Sequence, residues 1–64
     1  MMLDEARGHI GDGVVYTPSH GDREYGVITS VSDSMVFVLY AGDRYSKATN
    51  PADLELLAGK GAGR

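Results

Sequence analysis

No cysteine occurs in the 64 residues. That excludes a thiolate nucleophile, and with it a disulfide and a Cys-based zinc site, two of the staples on which very small domains commonly rely. Tryptophan is also missing, proline occurs twice and phenylalanine once. Positive charge is scarce: six Lys/Arg stand against nine Asp/Glu, for a net charge of −3. This argues against nucleic-acid binding through bulk positive charge and leaves only a local basic patch for that purpose. No run approaches the roughly 18 apolar residues that span a bilayer, and the opening "MMLDEARGHIGDG" is acidic, without the apolar stretch of a signal peptide. A cytoplasmic protein is therefore expected. A chain this short forms one domain and buries only about 60% of its unfolded surface, so a large enclosed active site is not expected.

What remains is β-type sequence divided by turn residues. "VVYTP" (Val14 to Pro18) is β-branched and aromatic, and the cluster "SHGD" follows it. "REYGVITSV" (Arg23 to Val31) and "MVFVLY" (Met35 to Tyr40) flank Ser32-Asp33-Ser34 and predict a hairpin. Gly42-Asp43 signals another turn, and "RYSKAT" (Arg44 to Thr49) predicts a fourth strand. In "NPAD" (Asn50 to Asp53) a capping residue precedes proline, which starts a single helical turn, and "LELL" (Leu54 to Leu57) supplies a fifth strand. Three units result: an N-terminal segment 1–9, partly disordered or packing on the domain; a folded unit 10–57; and a Gly-rich tail 58–64 expected to be disordered.

Five short strands with one helical turn before the last predict an all-β fold closed into a small barrel, because closure removes exposed edges. The segments "IGDGVVY", "EYGVITSV", "VFVLYAGD" and "NPADLELL" resemble the successive strands of an SH3-like barrel of the Tudor type over Ile10 to Leu57. "VVYTPSHGDREYGVITSV" with "SKATNPADLELL" also resembles small uncharacterised proteins of bacteriophages and prophages, which implies such an origin.

Strand alternation, with a bulge near Ser30, predicts a core of Gly26, Ile28, Val31, Val36, Val38 and Tyr40 with Val14, Tyr16, Ala48, Leu54 and Leu57. The other face of the third run then carries Met35, Phe37 and Leu39, where a solvated sheet would carry polar groups. Either a curved sheet covers them, for instance under Met2 to Ile10, or they form a contact surface for a partner or for a second copy.

The Tudor resemblance implies an aromatic cage for a methylated cation, for which Tyr16, Tyr25, Phe37, Tyr40 and Tyr45 are the candidates. The same tyrosines also suit the rim of a small core, with their hydroxyls in water. Nucleic-acid contact would fall to Arg23, Arg44 and Lys47, with Tyr25 and Tyr45 for stacking, but Asp22, Glu24 and Asp43 adjoin those cations. His9 and His20 lie near Asp12 and Asp22 without a recognised metal-ligand spacing, the serines lack a nucleophile elbow, and "GHIGDG" and "GKGAGR" lack the context of a phosphate loop. The expectation is a non-catalytic interaction module for a protein or peptide partner, with no cofactor and no metal. A nucleic-acid accessory domain and a self-assembling structural protein are the alternatives.

Overall fold

The computed structural model describes residues 1–57; the expectation for 58–64 falls outside them. Five strands form one antiparallel sheet: β1 (Gly13–Tyr16), β2 (Glu24–Val31), β3 (Val36–Tyr40), β4 (Lys47–Thr49) and β5 (Leu54–Leu56), in the spatial order β4-β3-β2-β1-β5. The all-β expectation holds. The sheet does not close on itself, however. β4 and β5 are its two edges, each three residues long, and neither pairs with the other. The fourth strand is shorter than expected because Arg44 to Ser46 remain in the loop that precedes it.

The turns follow from their chemistry. Ser32 closes the β2–β3 hairpin: its amide donates to the Met35 carbonyl at 2.9 Å, and its Oγ accepts from the Met35 amide at 3.0 Å. Met35 thus belongs to this turn and does not begin β3. The turn after β3 is closed by the Asp43 amide donating to the Tyr40 carbonyl at 3.0 Å, with Gly42 at φ 87°, a conformation that side-chain-bearing residues rarely adopt. Before β5, Asn50 Oδ1 accepts from the Ala52 amide at 2.9 Å and Pro51 opens a single 3-10 turn, Pro51–Asp53, as expected of "NPAD".

Register sets which residues share a face. Ile28 lies opposite Val38, but Ser30 lies opposite Phe37, so Thr29 is the extra residue of a β-bulge. The bulge keeps Ile28 and Val31 on one side although they are three residues apart. On that inner face Val14, Ile28, Val36, Val38, Tyr40 and Leu54 form the buried core, with Tyr16, Val31 and Leu56 packed at its margin. Fully burying each aliphatic contributes about 1.5–3 kcal/mol of transfer free energy.

Two core assignments change. Ala48 lies opposite Phe37 and is exposed, whereas Thr49, opposite Val36, is buried. Leu57 is only half-buried and covers Gly13, where an added Cβ would come within 2.9 Å of Leu57 Cδ1.

The N-terminal segment contains a short helix, α1 (Leu3–Arg7), that supplies the fully buried Ala6 to the core. Arg7 Nη1 pairs with Asp4 at 2.7 Å, and its Nη2 donates to the Ser32 carbonyl at 3.3 Å, tying the helix to the β2–β3 turn. The segment therefore lies against the core side of the sheet and does not cover Phe37 and Leu39. Among the described residues no helix is long and apolar enough to cross a membrane.

Candidate functional site

Four of the five aromatics divide between the two sides of the sheet. Tyr16 and Tyr40 meet edge to face, with ring centroids 6.1 Å apart and planes at 61°. Their strands β1 and β3 flank β2, and together with Glu24, Lys47, Thr49 and Asp53 they line a pocket of about 260 Å³ between the two sheet edges. Tyr40 is buried there, its hydroxyl 2.6 Å from Thr49 Oγ1. Burial pushes the Tyr40 phenol above its usual range and the Thr49 hydrogen bond pulls it partly back, while Glu24 and Tyr16 add small upward contributions.

Tyr25 and Phe37 belong to the outer face. Tyr25 lies opposite Val15, Val27 opposite both Gly13 and Leu39, and Phe37 opposite Ser30 and Ala48. This register assembles an apolar surface from β1 to β4. It includes a shallow, open groove of about 570 Å³ whose walls include Tyr25, Val27, Leu39 and Leu57, with Asp43 at its margin. Tyr25 is 51% exposed and Val27 40%, large apolar groups left in water. The floor is shallow side-chain territory because Gly13 and Gly26 underlie it. At Gly26 a Cβ would meet the Leu39 carbonyl oxygen at 2.6 Å, so the close approach of β2 to β3 requires glycine there.

Tyr45 stands apart from both surfaces, 79% exposed in the β3–β4 loop. A cage containing all five candidate rings is therefore not assembled. Phe37 and Leu39 do share the outer face as the alternation indicated, whereas Met35 sits half-buried in its turn. Sequence reasoning did not single out Val27 or assign Leu57 to this surface. The available signal was the alternation of Tyr25 and Val27 against Gly26 and Ile28.

The candidate cations are also separated. Arg23 precedes β2 and lines a hollow with Asp53 and Glu55; Arg44 lies in the β3–β4 loop; Lys47 is on β4, with β3 between it and β2. Lys47 Nζ lies 3.3 Å from Asp43 Oδ2, an ion pair without hydrogen-bond alignment. His9 Nδ1 lies 2.8 Å from Asp12 Oδ2, bracing the lead into β1, and His20 is exposed in the β1–β2 loop. Among the described residues no three His, Cys, Asp or Glu side chains gather into a group suited to a metal ion.

No family model, no curated protein and no solved structure matches this chain.

Proposed function

We propose that this chain is a non-catalytic interaction module that docks a protein partner on the outer face of its sheet. The observation carrying this reading is the groove beside Val27: about 570 Å³, bounded by Tyr25, Leu39 and Leu57, and open to solvent. Apolar groups so arranged gain free energy only when something covers them, at about 25 cal/mol per Å² removed from water. The finer fold assignment belongs to the same proposal. Strand order β4-β3-β2-β1-β5 with a 3-10 turn before the last strand is what an SH3-like barrel of the Tudor type would have, although this sheet is open. A bacteriophage or prophage origin rests on the sequence resemblance alone.

Nucleic-acid binding has the exposed Tyr45 beside Arg44 in its favour. The Asp43–Lys47 ion pair and the net charge of −3 weigh against it, since the phosphate backbone rewards uncompensated positive charge.

The test is photo-crosslinking in cells that produce the chain, with a benzophenone side chain at position 27 and, separately, at the exposed turn position 33. Adducts of higher mass are expected from position 27 and not from position 33. Absence of adducts at 27, or equal yields at both, would sink the reading.

A further inference from the structure

We draw no further inference here: the strongest candidate, the open groove bounded by Tyr25, Val27, Leu39 and Leu57 on the outer face of the sheet, belongs to the site already described, and nothing in the structure shows what covers it.

Discussion

The Tyr40 hydroxyl and Thr49 Oγ1 lie 2.6 Å apart in the buried interior, joining β3 to edge strand β4 by side chains as well as by backbone. Thr49 Oγ1 also donates to the Lys47 carbonyl at 3.3 Å. Tyr40→Phe should therefore destabilise the fold by about 1 kcal/mol, the usual net worth of such a bond. Thr49→Val should cost a similar amount, and the double variant less than the sum, because both remove one interaction. Urea unfolding of the four proteins measures this cycle.

The same tyrosine gives the fold an alkaline weakness. Its phenol is raised in the folded protein, chiefly by burial, so the native state holds the proton more tightly than the unfolded chain. The associated stability is complete below the unfolded value near pH 10 and is lost as pH rises through the folded value. Unfolding free energy should fall above about pH 10, and Tyr40→Phe should flatten that decline. An unaltered slope in the variant would refute the assignment to this group.

Gly26→Ala should destabilise by about 1–3 kcal/mol, because the new Cβ would lie 2.6 Å from the Leu39 carbonyl oxygen and 2.7 Å from Val38 Cγ1. Gly8→Ala is the control. Gly8 has φ −83° and its nearest contact would be 3.5 Å, so alanine there should be neutral or slightly stabilising. Thermal melts that rank the two variants in the opposite order would contradict the tight β2–β3 approach.

Asn50→Ala should lower the melting temperature by about 4–8 °C, corresponding to about 1 kcal/mol for a lost cap in a domain of this size. Asn50→Asp retains an acceptor for the Ala52 amide and should recover most of the loss.

Ala6→Asp should unfold the chain. Ala6 is fully buried, and an unpaired carboxylate there costs about 3–5 kcal/mol against a total stability that is small in so short a domain. Circular dichroism at neutral pH reads the outcome directly; a folded variant would mean that α1 is dispensable.

Strands were legible because Val, Ile and Tyr cluster between Gly, Pro, Asp and Ser, and because each turn announced itself by residue type. Helix α1 was not. It is five residues long, Met2 at its N-cap lacks a capping oxygen, and only Ala6 is buried, so no apolar period could emerge. Its weak marks are Asp4 and Glu5 in the first turn and Arg7 in the last. Thr49 was missed as a core residue because burying a hydroxyl is unfavourable until Tyr40 is brought beside it, and only tertiary structure does that. The outer face was half visible, since Phe37 and Leu39 follow from alternation within β3. Its other half, Val15, Tyr25 and Val27, depends on register across three strands, which local pattern does not specify.

The pairing of β1 with β5 has a kinetic consequence. β2 and β3 meet across the short turn closed by Ser32, whereas Val14 must find Leu56 near the far end of the described chain. Closing that long loop carries an entropic cost before any contact repays it. The β2–β3 hairpin should thus be structured in the folding transition state, and Leu54, which completes the core, should dock late. On a ribosome, the native state becomes reachable only after Leu54 has emerged.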